Sequence, residues 1–169
     1  GLKLLNEKIT NYGEKRRFIF DPDSSNNYQV RSKLTSIGVT SAGELSIEGV
    51  IKSDIRSVLN FSGATGFNLK NQSILNISNT TLSNSSTAII LDNENATTNL
   101  NNVMFIDKAL AIQNLNGTVN LKNSVIEPNT LGESSNKVIN NSIFIVENSV
   151  IKTNIENIGN IYLNGVDTI

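Results

Sequence analysis

The chain has 169 residues, of which 38% are hydrophobic and 17% are charged, and its formal net charge is −1 at pH 7. The remainder is rich in Asn, Ser and Thr, and the near-zero charge provides no overall basic field, so nucleic acid is not an expected partner. The absence of Cys and His excludes disulfides, thiolate or imidazole metal ligands and any catalytic triad built on His. No apolar run is long enough to cross a bilayer, so we expect no direct membrane insertion of this segment.

The N-terminal segment 1–34 differs from the rest of the chain and is predicted to be a cap made of a short helix and/or strands. Leu2, Leu5 and Ile9 recur at helical spacing, and Gly13 is a suitable stop. Stacked repeat arrays need their terminal core covered, and an atypical first segment usually provides that cover.

Two strand-like runs at 18–20 and 28–30 flank a polar segment within this cap. Asp21, Asp23 and Asn26 in the polar segment carry oxygen atoms of the kind that bind calcium. However, no Gly stands at a sharp bend and no Glu closes the loop, as a calcium loop requires. The sequence therefore predicts a solvated turn here and no metal site.

From residue 35 to 169 one short pattern recurs: an apolar residue, any residue, an apolar residue, any residue, then Asn or Gly. In the clearest copy Val119 and Leu121 alternate as on a strand with one buried face, and Asn123 follows at a turn. An equivalent pattern ends nine residues earlier at Asn114. Most of the chain contains two such patterns in succession, whose closing Asn or Gly residues lie eight or nine positions apart. An apolar residue often follows three positions after the second closing residue. Three short strands per turn of about 22 residues predict a stacked coil.

The residue that ends the second pattern of each pair is predicted to lie near the left-handed region, which Gly and Asn tolerate best. These residues lie 30, 23, 21, 25 and 17 positions apart, as expected for fixed strands joined by loops of different length. We call them the turn ladder: Gly49, Asn79, Asn102, Asn123, Asn148 and Gly165. The matching inward residues predicted to carry the fold are Ile47, Ile77, Leu100, Leu121, Val146 and Leu163.

The run from Val119 to Ile126, with equivalents at 75–82 and 144–151, resembles part of a right-handed parallel β-helix of the pectate-lyase type: its second strand, its Asn-containing turn and its third strand. With its abundance of Asn, Ser and Thr and its lack of Cys, the chain is similar to the passenger domains of bacterial autotransporters and related surface adhesins. The resemblance implies an all-β, right-handed parallel β-helix of about six to seven rungs over 35–169.

Two stretches interrupt the repeat. The pattern loses its phase between Ser53 and Gly66, which predicts a degenerate rung or an inserted loop. Pro128 and Gly132 break the strand pattern between 127 and 136, so we expect that segment to protrude.

We expect no enzymatic activity. A β-helical lyase or glycosidase needs acidic side chains stacked on one sheet. The outward residues that precede the first turn of each pair are mixed and stack no two acids: Lys70, Asp92, Gln113, Ile139 and Glu156. Asp92 and Glu94 come nearest to a carboxylate pair, but a polar loop explains them. No catalytic, cofactor-binding or metal-binding residue is predicted.

The resemblance implies a bacterial cell-surface or secreted protein that acts in adhesion or as an extracellular scaffold, with the associated expectation of a virulence role at the outer membrane. The alternatives are a carbohydrate-active β-helix enzyme, either a polysaccharide lyase or a glycosidase, and a structural stalk like that of a phage spike. The expected partner is a glycan or protein of a host-cell or bacterial surface, and stacked strands also allow end-to-end or edge self-association. Because the chain begins at Gly1 without an initiator Met, we expect a fragment or processed form.

Overall fold

A computed structural model describes residues 11–20, 27–29, 37–51, 56–128 and 136–168. The elements in these ranges are strands, turns and bends, and none of the described residues is helical. Within these ranges the strands are β1 (Asn11–Tyr12), β2 (Lys15–Phe20), β3 (Asn27–Gln29), β4 (Ile37–Val39), β5 (Gly43–Gly49), β6 (Ser57–Asn60), β7 (Phe67–Leu69), β8 (Ser73–Lys122), β9 (Val125–Ile126), β10 (Asn136–Asn140), β11 (Ile143–Ile151), β12 (Asn154–Asn157) and β13 (Asn160–Thr168).

The strands pair in parallel with strands one turn of the chain away, and they form three rows along the coil. The first row contains β1, β4, β7, two parts of β8 (89–91 and 112–114), β10 and β12. The second row contains β2, β5, three parts of β8 around Asn76, Asn99 and Asn120, the first half of β11 and β13. The third row contains β3, β6, two parts of β8 (80–83 and 104–105), β9 and the end of β11. This pairing confirms the predicted all-β parallel β-helix.

The long element β8 passes through all three rows and is bent at residues with positive φ. Its residues 73–78 pair with β5, its residues 80–83 pair with β6, and its residues 89–91 pair with β7. Asn79 has a φ of 53° between the first two of these segments, which redirects the chain from the second row to the third. Continuous hydrogen bonding through such bends makes the run a single element.

One apolar core runs along the inside of the coil. Alternate residues of each strand point inward, so Leu45 and Ile47 of β5 are buried below Leu75 and Ile77 of β8. The third strand expected after each turn is also present, with Leu82 and the following inward residues Phe105, Ile126 and Ile151 all buried. Each inward side chain therefore packs mainly on those one turn before and one turn after it.

The N-terminal segment 1–34, expected to be a cap, contains three of these strands in its described part. β1, β2 and β3 pair in parallel with β4, β5 and β6. Tyr12 packs edge-on against Phe18 with ring centroids 5.9 Å apart, and both are buried. Burial raises the pKa of the Tyr12 phenol above its ordinary value, against a smaller opposite effect of Arg16. The helix expected at 2–11 falls largely outside the described residues.

The stretch where the repeat loses its phase contains a regular third-row strand. β6 occupies 57–60, and Leu59 and Phe61 are both buried in the core. The chain then turns at Ser62 and Gly63, which have φ values of 51° and 89°, before β7 begins. The periodicity disappears because residues are added between the second and third rows: Glu48 pairs with Ser78 and Ser57 with Thr80, so nine positions on this turn correspond to two on the next. The segment 52–55 and most of the expected protruding segment, 129–135, lie outside the described residues.

Leu163 departs from the expectation that it is a buried core residue. It pairs with Val146 and points inward in register, yet 51% of its surface is exposed, whereas Val146 and Leu121 in the same column are fully buried. The difference arises because β13 is the last strand of its row, so nothing covers the far side of this residue in the described structure.

Candidate binding groove

The outer face of the second row is concave and contains a groove of about 590 Å³. Its surface is polar because the outward residues of these strands are amides, hydroxyls and a few charged groups. We call it the amide groove, and its lining residues include Glu48, Asn76, Ser78, Asn99, Asn101, Asn120, Lys122, Ile145 and Glu147.

Three asparagines on successive turns form a hydrogen-bonded row along this groove. Asn99 Nδ2 donates to Asn76 Oδ1 at 2.9 Å, and Asn120 Nδ2 donates to Asn99 Oδ1 at 2.9 Å. Each occupies the outward position between two inward residues of its strand, which places the amides one above another along the coil. Asn99 and Asn120 each have a second N–H and all three amide oxygens have a further lone pair, so the row retains hydrogen-bonding capacity toward solvent or a ligand.

The side chains that follow the amide row differ between its N-terminal and C-terminal ends. At the N-terminal end Asn76 Nδ2 donates to Ser46 Oγ at 3.1 Å and lies 3.4 Å from Glu44 Oε1. At the C-terminal end Asn120 pairs with Ile145, and Ile145 pairs with Tyr162. Tyr162 is 58% exposed. The face therefore runs from hydrogen-bonding groups to an apolar side chain and then to an exposed aromatic ring.

Charged residues near the groove occur as opposite pairs. Lys122 Nζ lies 3.7 Å from Glu147 Oε2. Arg17 binds Glu48 through two hydrogen bonds, from Nε at 3.0 Å and from Nη2 at 2.8 Å. The hydrogen bonds and charge of Glu48 raise the pKa of the Arg17 guanidinium above its ordinary value. These pairs leave the groove without a strong net charge, which favours an uncharged ligand.

The turn ladder borders the groove where the second row passes into the third. Asn79, Asn102, Asn123 and Asn148 have φ values of 53°, 57°, 52° and 47°, in the left-handed region that Asn tolerates. Their side chains link neighbouring turns: Asn102 Nδ2 donates to Asn79 Oδ1 at 2.9 Å, and Asn148 Nδ2 donates to Asn123 Oδ1 at 2.7 Å. Asn123 Nδ2 instead donates to Asn101 Oδ1 at 2.9 Å.

The two glycines placed in the same series behave differently from one another. Gly165 has a φ of 62° and matches the asparagines. Gly49 lacks a positive φ and is the last residue of β5, so it is not a left-handed turn. A Cβ at Gly49 would lie 1.9 Å from the Asn79 carbonyl oxygen. Gly is needed at this position because the backbone of the next turn comes too close for any side chain.

Arg56 reaches the ladder from the start of β6. Its Nη2 donates to the backbone oxygen and to Oδ1 of Asn102, at 2.8 and 3.0 Å. Desolvation lowers the pKa of this guanidinium from its ordinary value. Arg56 therefore spans two turns of the coil to bond one ladder residue.

A second amide row, which lies inside the coil, follows the first-row strands. Asn114 Nδ2 donates to Asn140 Oδ1 at 3.0 Å, and Asn140 Nδ2 donates to Asn157 Oδ1 at 2.7 Å. Asn114 and Asn140 are buried, and their amides also donate to backbone carbonyls of the next turn, those of Ile143 and Asn160. Neither residue has a positive φ. Asn is used here because its amide satisfies the carbonyls exposed at the bend, and not because the backbone is left-handed.

The acidic residues considered for catalysis are not in the amide groove. Asp92 and Glu94 are exposed in the turn after a first-row segment, where Asn93 Oδ1 accepts a hydrogen bond from the Asn95 backbone N–H at 2.9 Å. Within the described ranges no group of three or more Asp or Glu side chains is arranged to hold a metal ion. The polar segment with Asp21, Asp23 and Asn26 lies outside those ranges.

The amide row lies at the outward residue of the second pattern of each pair, whereas the outward residues considered for catalysis belong to the first pattern. The relevant position lies between the two inward residues of each second-row strand. Read in chain order, it contains Ser46, Asn76, Asn99, Asn120, Ile145 and Tyr162. Three successive amides followed by an apolar and an aromatic residue would have indicated a continuous polar face.

The described part of the chain has no helix that could span a membrane. Comparison of the chain with protein-family models, with curated proteins and with solved structures finds no match. A functional assignment therefore depends on the chemistry of the amide groove itself.

Proposed function

We propose that the chain is a segment of a bacterial cell-surface or secreted β-helical protein, of the kind found in autotransporter passenger domains, and that it acts in adhesion. The observation that supports this proposal best is the amide row Asn76–Asn99–Asn120, which leads through Ile145 to the exposed Tyr162. An extended row of hydrogen-bonding groups on a rigid coil suits a ligand with repeating polar groups.

The chemistry favours a neutral glycan over an acidic one. Amides donate to and accept from sugar hydroxyls, and an aromatic ring provides an apolar platform for a sugar face. Within each of the pairs Lys122–Glu147 and Arg17–Glu48, the carboxylate neutralises the cation. The groove therefore has no cationic patch for a polyanion. The alternative of a carbohydrate-active enzyme would require a pair of carboxylates across this groove, and its two lining acids, Glu48 and Glu147, are each paired with a cation.

Glycan-array binding of the 169-residue chain tests the proposal. We expect the chain to bind uncharged glycans. Asn99→Ala and Tyr162→Ala should each reduce that binding about tenfold, since the first removes an amide that lines the groove and the second removes the aromatic ring on the turn beyond Ile145. Asn95→Ala is the matched control, because this exposed asparagine lies outside the groove. Equal binding by all four proteins, or no binding to any glycan, would overturn the assignment.

Incubation of the bound glycans with the chain separates adhesion from catalysis. An adhesin leaves the glycan intact, whereas a lyase or glycosidase releases shorter products. Product release that increases with time would replace the adhesion proposal with the enzymatic alternative.

A further inference from the structure

Several asparagines of the coil begin the sequence Asn-x-Ser or Asn-x-Thr, which enzymes that attach sugars to asparagine recognise. A chain so rich in Asn, Ser and Thr forms this sequence by chance, so the sequence alone does not distinguish the sites. Transfer of a sugar needs a free amide nitrogen and a hydroxyl within reach two positions later. The structure separates the sites by these two criteria. Their asparagines are Asn60, Asn71, Asn76, Asn79, Asn84, Asn95, Asn116 and Asn140.

Five of these asparagines use their side chains to hold turns of the coil together. Asn76 and Asn79 accept hydrogen bonds from amides of the next turn. Asn84 Nδ2 lies 3.4 Å from Asn60 Oδ1, and Asn140 is buried in the inner amide row. A sugar on any of these five would displace contacts that the fold uses.

Asn71 fails the second criterion. Its side chain is exposed, but Ser73, two positions later, is only 2% exposed. Ser73 Oγ donates a hydrogen bond to the Asn71 backbone oxygen at 2.9 Å. The hydroxyl that a transferase must recognise is therefore covered and already bonded.

The two remaining sites meet both criteria. Asn95 and Asn116 are exposed, and their side-chain amides form no hydrogen bond in the described part of the chain. Thr97 and Thr118, two positions later, are each partly exposed. Their hydroxyls likewise have no hydrogen-bond partner among the described residues. Both amides and both hydroxyls are thus open to an enzyme without any change in the coil.

These two sites lie side by side at one bend, where the chain passes from the first row to the second. They are 21 residues apart, which is also the separation of the last two amides of the amide row. Their middle residues stack, because a Cβ at Gly117 would lie 2.9 Å from the Ala96 carbonyl oxygen. Asn95 and Asn116 are therefore neighbours separated by one strand spacing, about 4.8 Å.

We propose that this bend is a site of N-linked glycosylation, with Asn95 and Asn116 as the acceptors and a nucleoside-diphosphate hexose as the donor. The amide Nδ2 forms a bond to C1 of the hexose, the bond from C1 to the diphosphate oxygen breaks, and a base of the transferase takes one amide proton. A hexose with its hydroxyls is wider than one strand spacing, so the first sugar covers the neighbouring amide. Each chain therefore carries one sugar at this bend.

Incubation of the folded 169-residue chain with UDP-glucose and a soluble N-glucosyltransferase specific for Asn-x-Ser/Thr tests the proposal. Intact-mass measurement should show one added glucose per chain, and peptide mapping should divide it between Asn95 and Asn116. Asn95→Gln and Asn116→Gln should each still accept one glucose, and the double variant should accept none. All three should unfold in urea at the midpoint of the parent, because neither amide is bonded within the coil.

Two controls separate recognition from mere exposure. Thr97→Val combined with Thr118→Val keeps both amides exposed and should abolish the addition. A synthetic peptide of residues 80–88 should accept glucose at Asn84, whereas the folded chain should not, because there the amide contacts Asn60. A folded chain that accepts no glucose, that accepts two, or that is modified at any other asparagine would overturn the proposal.

Discussion

The two amide rows of the coil have the same chemistry in opposite surroundings. In the inner row Asn114, Asn140 and Asn157 are joined by hydrogen bonds of 3.0 and 2.7 Å, and the first two are buried. In the outer row Asn76, Asn99 and Asn120 are joined by bonds of 2.9 Å and border solvent. Bond length does not distinguish the rows; access to water does.

That difference decides what each row contributes. A broken bond in the outer row is replaced by water, so its net value for folding is small. A broken bond in the inner row leaves polar groups in an apolar interior, which costs about 1–3 kcal/mol for each group. The inner row therefore stabilises the bends of the coil, while the outer row is free to exchange water for a ligand.

The largest effect that would test this comparison is expected for Asn140→Ala. The change removes the amide that bonds to the Ser142 and Asn160 carbonyls and to Asn157, and it also removes the Oδ1 that accepts from the buried Asn114 amide. We expect the free energy of unfolding in urea to fall by about 3 kcal/mol. Asn141→Ala, at the exposed neighbouring position, is the control and should change it little. If both variants were equally stable, the inner row would have no structural value.

An intermediate effect is expected at Asn123, which has a φ of 52° and is bonded to the turns on both sides. Asn123→Gly keeps the favoured backbone but loses the side-chain bonds, at a cost of about 1 kcal/mol. Asn123→Val adds backbone strain of roughly 1–2 kcal/mol. Urea denaturation should rank the proteins Asn, Gly, Val in decreasing stability. A Val variant as stable as the parent would contradict the left-handed turn.

The smallest effect on stability is expected for Asn99→Ala in the outer row. Both of its amide bonds are exposed, so the free energy of unfolding should fall by only about 0.5 kcal/mol. The same chemical deletion at Asn140 should cost several times more, and thermal and urea denaturation of the two variants side by side measures the ratio. A ratio near one would remove the distinction between the rows.

The sequence predicted the fold well because the buried strands repeat an alternating pattern. Val119 and Leu121 are inward and buried, and Asn79 and Asn123 lie in the left-handed region. Gly49 illustrates a limit: Gly is compatible both with a positive φ and with close backbone approach, and only the neighbouring turn decides between them.

The candidate groove could not be predicted in the same way. Its amides lie 23 and then 21 residues apart, so no fixed period in the sequence places them in one row. Leu163 shows a related limit, because its residue type and phase indicate burial, while its exposure depends on whether another turn covers it.

The parallel stacking of turns has a mechanical consequence. Each second-row or turn-ladder bond joins residues about one turn apart, such as the 21 between Asn99 and Asn120 or the 25 between Asn123 and Asn148. A force that pulls on the two ends of the polypeptide therefore acts on the terminal turn, and peeling that turn leaves the next one intact. Each detached turn releases roughly 70–85 Å of extended chain. The coil is thus an extensible tether that lengthens in steps, and a surface attachment built from it would absorb load without losing all of its structure at once.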